Sequence, residues 1–106
     1  MPEHRRLQTR HPVEIAATLE VEGQPWRGLF RNLSLGGAFL ALETPGLSPT
    51  TGTRGRVSFE IPTHAEPITV GVSIRWSSEE GVGLQFDGLR AGEVWSLNNY
   101  FKGQDG

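Results

Sequence analysis

The sequence predicts a small, mainly β domain of six antiparallel strands, arranged as a barrel or a sandwich and followed by one C-terminal helix. Three observations carry this prediction. Apolar and polar residues alternate over several short segments, which is the period of a half-buried strand. Turn residues separate these segments at close spacing, and no helical period lies among them. The length of 106 residues suits a single domain with one core.

The clearest strand covers residues 13–21, where apolar residues occupy every second position. A turn at 22–25 and a second apolar segment at 26–34 complete a hairpin. We find no internal repeat, so each further strand is predicted from its own pattern. These strands are expected at residues 38–42, 57–61, 68–76 and 82–86.

The end of the chain predicts an amphipathic helix that begins near Leu89. Val94, Leu97 and Phe101 follow the spacing i, i+3, i+7, so they are expected to cover one opening of the barrel. The start of this helix lacks an N-cap residue of the usual type unless Asp87 serves as one.

The expected organisation of the chain is therefore simple. A flexible arginine arm covers residues 1–11, the folded barrel with its closing helix covers 12–102, and a frayed tail covers 103–106.

Composition excludes several classes of protein. The chain has no cysteine, which excludes disulfides, thiolate zinc sites and thiol catalysis. Its longest apolar run, residues 38–42, is far shorter than the roughly 20 residues of a membrane helix. The N-terminus has no apolar segment of the kind found in a secretory signal. We therefore expect no membrane span and, by default, a cytoplasmic location.

The sequence contains little that indicates a catalytic site. Ser34 lies in Asn-Leu-Ser-Leu-Gly rather than in the Gly-x-Ser-x-Gly of a serine nucleophile, and no activating base is near it in sequence. His4, His11 and His64 lack the spacing of metal ligands. We expect a protein that is not an enzyme, with no catalytic residue, no metal and no cofactor.

Positive charge is concentrated at the N-terminus. The net charge of the chain is −2, yet Arg5, Arg6 and Arg10 stand close together at its start. Proteins that bind long DNA or RNA are usually basic over a whole face, because neutralised phosphates supply most of the affinity. The pattern favours a small anion over DNA or RNA, although such a cluster is also typical of a solvated tail.

The chemistry of these arginines suits a nucleotide. Arg6 and Arg10 are four positions apart, so their side chains share a side in either an extended or a helical segment. The planar guanidinium matches both phosphate oxygens and the O6/N7 edge of guanine. The pair can therefore act on one ligand.

A second candidate segment follows the second strand. Asn32 and Ser34 could hydrogen-bond a base there, while Gly36 and Gly37 would let a ligand approach the backbone. The same residues are also ordinary turn formers between two strands. Both interpretations stay open on the residues alone.

Together the two segments resemble the paired signature of the PilZ domain family, Arg-x-x-x-Arg followed by (Asp/Asn)-x-Ser-x-x-Gly. Arg6 and Arg10 fit the first motif, and Asn32, Ser34 and Gly37 fit the second. The resemblance implies a six-stranded β-barrel that binds the bacterial second messenger cyclic di-GMP. It further implies that the arginines take phosphates and guanine edges, that Asn32 and Ser34 hold a guanine, and that Gly37 keeps the surface open.

Trp76 matches an aromatic residue that some members of this family place near the ligand, but it also ends an alternating strand and could lie in the core. The preferred hypothesis is a cyclic di-GMP receptor whose arm closes on the ligand and presents a changed surface to an effector protein. The alternative is a PilZ-like interaction domain that binds no nucleotide. An OB-like barrel for single-stranded nucleic acid would need aromatics interleaved with basic residues on its strands, and the sequence has few.

Overall fold

The computed structural model describes residues 10–44 and 49–105. Six antiparallel strands close into a barrel in the order β1-β2-β3-β6-β5-β4, and one helix, α1, follows them. The predicted fold class is thus confirmed, as a barrel and not a sandwich. The elements are β1 (His11–Val21), β2 (Gln24–Leu33), β3 (Gly37–Leu42), β4 (Arg54–Phe59), β5 (Ile68–Ser77), β6 (Gly81–Phe86) and α1 (Ala91–Asp105).

Alternation of side chains between the two faces of each strand builds the core. Along β1, every second residue from Val13 to Val21 is buried, as the sequence pattern predicts. Three phenylalanines meet inside the barrel, with ring centroids 5.0 Å apart for Phe30 and Phe59 and 6.4 Å apart for Phe59 and Phe86. β4 begins three residues before the predicted start, and the buried Ile61 lies just beyond its end.

The barrel contains an internal two-fold relation that the sequence analysis missed. Strands β1–β3 form one antiparallel meander, and strands β4–β6 form an equivalent one. Each residue of β2–β3 corresponds to the residue 44 positions later in β5–β6, so that Ser34 corresponds to Ser78. Backbone hydrogen bonds between the two halves also correspond. The bond from the Phe86 amide to the Gly36 carbonyl, at 2.8 Å, corresponds to the bond from the Leu42 amide to the Glu80 carbonyl, at 3.0 Å.

Two β-bulges occupy equivalent positions in these halves. In β2 the register against β3 shifts between Phe30 and Asn32, and in β5 the register against β6 shifts between Ile74 and Trp76. A bulge adds one residue to one strand, so the side chains after it change face. Asn32 and Trp76 therefore lie outside the barrel wall.

Helix α1 packs against the barrel through Leu97 and Phe101, which are both buried, whereas Val94 is only half-buried. The His11 and Phe101 rings stack at a centroid distance of 4.0 Å. The helix continues to Asp105, beyond the boundary that the sequence analysis placed at residue 102. Within residues 10–44 and 49–105, no helix combines the length and apolar character that crossing a membrane requires.

The start of α1 has a different cap from the one considered. The Arg90 amide donates to Glu93 Oε1 at 2.8 Å, which is half of a capping box, and the acidic residue also suits the positive end of the helix dipole. Asp87 instead forms an ion pair with Arg54. Glu93, not Asp87, therefore caps the start of α1.

Candidate ligand-binding site

The turn between β2 and β3 is organised by one serine. Ser34 is 1% exposed, and its Oγ accepts from the amides of Gly36 and Gly37, both at 3.1 Å. It also donates to the Gly37 carbonyl at 3.2 Å, which uses the full hydrogen-bonding capacity of the hydroxyl. A Cβ at Gly37 would collide with the Leu84 carbonyl oxygen of β6. In this conformation Ser34 and Gly37 therefore shape the turn.

The equivalent turn between β5 and β6 repeats this arrangement. Ser78 Oγ accepts from the amides of Glu80, at 3.2 Å, and Gly81, at 3.3 Å, and donates to the Gly81 carbonyl. A Cβ at Gly81 would collide with the Leu40 carbonyl oxygen, just as a Cβ at Gly37 would collide with that of Leu84. Ser-x-x-Gly is thus a requirement of this bulged hairpin wherever it occurs in the barrel.

The two turns predict a stability difference that does not depend on any ligand. We expect Ser34→Ala to cost about 1–3 kcal/mol of unfolding free energy, because it removes the acceptor of the buried Gly37 amide and of the half-buried Gly36 amide. Ser78 is exposed. Water can replace its hydroxyl, so Ser78→Ala should cost about 0.5–1.5 kcal/mol, the net worth of an ordinary hydrogen bond. Urea unfolding of both variants beside the parent measures the difference, and a Ser78→Ala variant as destabilised as Ser34→Ala would contradict it.

Asn32 joins the two segments that the sequence analysis singled out. Its Oδ1 accepts from the Phe39 amide at 3.1 Å and from Arg10 Nη1 at 2.8 Å. The bulge in β2 makes this contact possible because it turns Asn32 to the outer face, where Arg10 enters from the N-terminal side. Arg10 and Asn32 are thus brought together. Arg5 and Arg6 lie outside the described residues.

Trp76 lies outside the barrel as well, which excludes the core placement considered for it. Its side chain is 48% exposed, because the β5 bulge reverses the alternation that would have turned it inward. The indole stacks on Phe39 with ring centroids 5.3 Å apart and covers Gly83, where a Cβ would collide with the ring. Asn32, Phe39, Gly83 and Trp76 are successive cross-strand neighbours, so they form one row across four strands.

A cleft of about 350 Å³ opens beside this row, which is at the lower end of the range for small-molecule sites. Arg10, Gly36, Arg75, Trp76 and Gln85 contribute to its lining, together with backbone of β6. The described lining contains two arginines and no carboxylate, so an anionic ligand is electrostatically favoured there.

A larger cavity of about 830 Å³ lies elsewhere on the barrel, along the outer side of β1. Glu14, Glu43 and Glu60 line it, and Arg27 is the one basic residue among its described lining. Negative charge of this density repels phosphates, so the smaller cationic cleft is the better candidate for a nucleotide.

Sequence reasoning missed three contributors to the candidate site: Phe39, Arg75 and Gln85. Phe39 and Gln85 lie outside both motifs, and their place in the site depends on strand register. One signal was available, however. The pattern Arg-x-x-Ser-x-x-Gly occurs at 31–37 and again at 75–81, and it marks both bulged hairpins.

Comparison with known proteins decides the family. The model of the PilZ domain matches residues 4–103, nearly the whole chain. The chain belongs to the PilZ domain family. No curated protein matches it. The matched residues include both arginines of the Arg-x-x-x-Arg motif and the entire turn after β2.

Solved PilZ-domain structures share this fold. The inhibitor of motility MotI/DgrA of Bacillus subtilis aligns with a TM-score of 0.74 and 23% identity, over 94% of this chain and 51% of that protein. The PilZ domain of CeSA from a cellulose-synthesizing bacterium aligns with a TM-score of 0.67 and 15% identity, over 91% and 98% of the two chains. PlzA of Borreliella burgdorferi, solved in complex with c-di-GMP, aligns with a TM-score of 0.68 and 18% identity, over 94% and 42%. The chain thus spans about half the length of MotI/DgrA.

Proposed function

We propose that this PilZ domain is a receptor for cyclic di-GMP, bound in the cationic cleft beside the Asn32–Trp76 row. The observation that carries the proposal is the hydrogen bond between Arg10 and Asn32, which joins the two motif segments at this cleft. PlzA, a relative of the same fold, was solved with c-di-GMP. The proposed ligand has two phosphates and two guanines, which suit a site that combines arginines with an exposed aromatic ring.

The residues divide into two roles. Arg5, Arg6 and Arg10 bind phosphates and the O6/N7 edge of guanine, and Asn32 contacts a base. Trp76 offers its exposed indole for stacking. Ser34 and Gly37 act through the shape of the turn, which holds Asn32 outward and leaves the backbone of Gly36 open to the cleft.

Several of these contacts must form together. Micromolar binding requires about 8 kcal/mol. One bidentate arginine–guanine pair contributes roughly 1–3 kcal/mol of discrimination, and stacking of one base contributes roughly 1–3 kcal/mol. No single contact suffices, so the residues before β1 must close on the ligand at the same time as the turn and Trp76. We propose that this closure changes the surface presented to an effector protein.

Selectivity between nucleotides tests the proposal. Adenine presents the N6 donor where guanine presents the O6 acceptor, so an arginine that donates to O6 would face a donor instead. The loss of one paired group costs about 1–3 kcal/mol, and we therefore expect cyclic di-GMP to bind at least about tenfold more tightly than cyclic di-AMP.

Isothermal titration of the purified protein with cyclic di-GMP, cyclic di-AMP and a short single-stranded oligonucleotide measures this preference. Equal affinity for the two dinucleotides would show that the arginines contact phosphate alone. Binding of the oligonucleotide alone would favour the OB-like alternative. If none of the three binds, the interaction domain that binds no nucleotide becomes the better interpretation.

A further inference from the structure

The two-fold relation within the barrel separates what the fold requires from what the cleft requires. Equivalent positions have the same backbone hydrogen bonds, so a side chain that differs between the halves is not dictated by the backbone. Ser34 and Gly37 are identical to Ser78 and Gly81. In the cleft lining Arg75 and Leu84 likewise match Arg31 and Leu40, whereas other residues differ from their equivalents: Gly36, Trp76, Gly83 and Gln85 correspond to Glu80, Asn32, Phe39 and Ala41.

Gln85 is the most informative of these differences. Its equivalent, Ala41, occupies the same strand position in the other half of the barrel and has no polar side-chain group. The fold therefore does not require a side-chain amide at residue 85. In the ladders Gln85 pairs with Gly37 on one side and Ser73 on the other, two small residues that leave room around its side chain. Gln85 is exposed, and its amide has no hydrogen-bond partner among residues 10–44 and 49–105.

The position of Gln85 relative to Trp76 suits the recognition of a base. Trp76 covers Gly83, and Gln85 is two positions further along β6, so both side chains lie on the outer face at a separation of roughly 7 Å along the strand. A base stacked on the exposed indole would present an edge to the Gln85 amide. Arginine suits the O6/N7 edge of guanine, so the N1/N2 edge is available to the Gln85 amide.

We propose that Gln85 is a specificity-determining residue whose Oε1 accepts a hydrogen bond from the exocyclic N2 amino group of the guanine stacked on Trp76. This inference rests on the proposed function and adds a residue to it. The N2 amino group is a donor that cyclic di-GMP has and cyclic di-IMP lacks. The two ligands share their phosphates, their sugars and the O6/N7 edge, so their comparison isolates this one contact.

The experiment titrates the parent, Gln85→Ala and Gln85→Glu with both ligands. In Gln85→Ala we expect affinity for cyclic di-GMP to fall about tenfold and affinity for cyclic di-IMP to stay within about twofold. The preference between the two ligands should therefore fall at least about fivefold. Gln85→Glu retains an acceptor oxygen at the same distance from the backbone, so it should keep the preference even where ligand phosphates lower the overall affinity.

Controls keep binding and folding apart. Gln24→Ala makes the same substitution at an exposed glutamine outside the cleft lining and should match the parent in every titration. Gln85→Ala should melt within a degree or two of the parent, because Ala41 occupies the equivalent position. If the parent binds both ligands and Gln85→Ala keeps the full preference for cyclic di-GMP, Gln85 does not read N2 and this inference alone fails. If the parent binds neither ligand, the proposed function fails with it.

Discussion

Val70→Asp should unfold the barrel or leave it folded only in a small fraction of molecules. Val70 is 5% exposed in the middle of β5 and pairs with Val57, which is fully buried in β4. An unpaired carboxylate at this position costs several kcal/mol, about 3–5 kcal/mol where a buried charge has no partner. Domains of this size have a total stability of about 5–15 kcal/mol. Circular dichroism during thermal unfolding measures the loss.

The adjacent residue supplies the matched control. Thr69 is exposed on the outer face of β5, where its hydroxyl hydrogen-bonds Ser58 at 2.9 Å. Thr69→Asp introduces the same charge one residue away and should change stability by no more than about 1 kcal/mol, the worth of one exposed hydrogen bond. If both variants unfold alike, the alternation of β5 is not what holds the barrel together. Any loss of ligand binding by Val70→Asp would follow from unfolding.

Alternation predicted the barrel because the period of two is imposed by the strand itself. The pattern is clearest on β1 and β5, where every buried position is apolar. The bulges could not be predicted in the same way. The apolar–polar pattern of Ile74-Arg75-Trp76 is that of continued alternation, and the face of Trp76 depends on a register shift against β6 that is marked only by the repeated Arg-x-x-Ser-x-x-Gly pattern.

The candidate site was partly predictable for a related reason. Arg10 and Asn32 could be named because they belong to motifs that are contiguous in the chain. Phe39 and Gln85 enter the site through cross-strand pairing, which the registers of β2 to β3, β3 to β6 and β5 to β6 define. The role of Ser34 in the turn also could not be predicted from the sequence. Its hydrogen bonds and their repetition at Ser78 show a turn requirement that the motif alone does not reveal.

Arg10→Ala should reduce affinity for cyclic di-GMP by about 1–3 kcal/mol, roughly tenfold to more than a hundredfold, while thermal stability stays nearly unchanged. Arg10 is exposed at the entrance to β1, and surface substitutions usually change stability by less than about 0.5 kcal/mol. Arg6→Ala should behave in the same way if both arginines of the motif contact the ligand. Titration of each variant beside its melting curve separates binding from folding.

Asn32 tests whether the arginine and the turn act as one unit. Asn32→Ala removes the acceptor of the Phe39 amide as well as the partner of Arg10, so it should lose both affinity and some stability. Asn32→Asp keeps an acceptor oxygen at the same position and should restore the stability. If Arg10 and Asn32 bind the ligand together, the double variant Arg10→Ala/Asn32→Ala should lose less affinity than the two single losses added, by about 0.5–3 kcal/mol. Strictly additive losses would mean that their hydrogen bond has no part in binding.

If Arg6→Ala and Arg10→Ala both bind cyclic di-GMP like the parent, the arginines are not the receptor site, and the interaction domain without a nucleotide ligand is the better description of this chain.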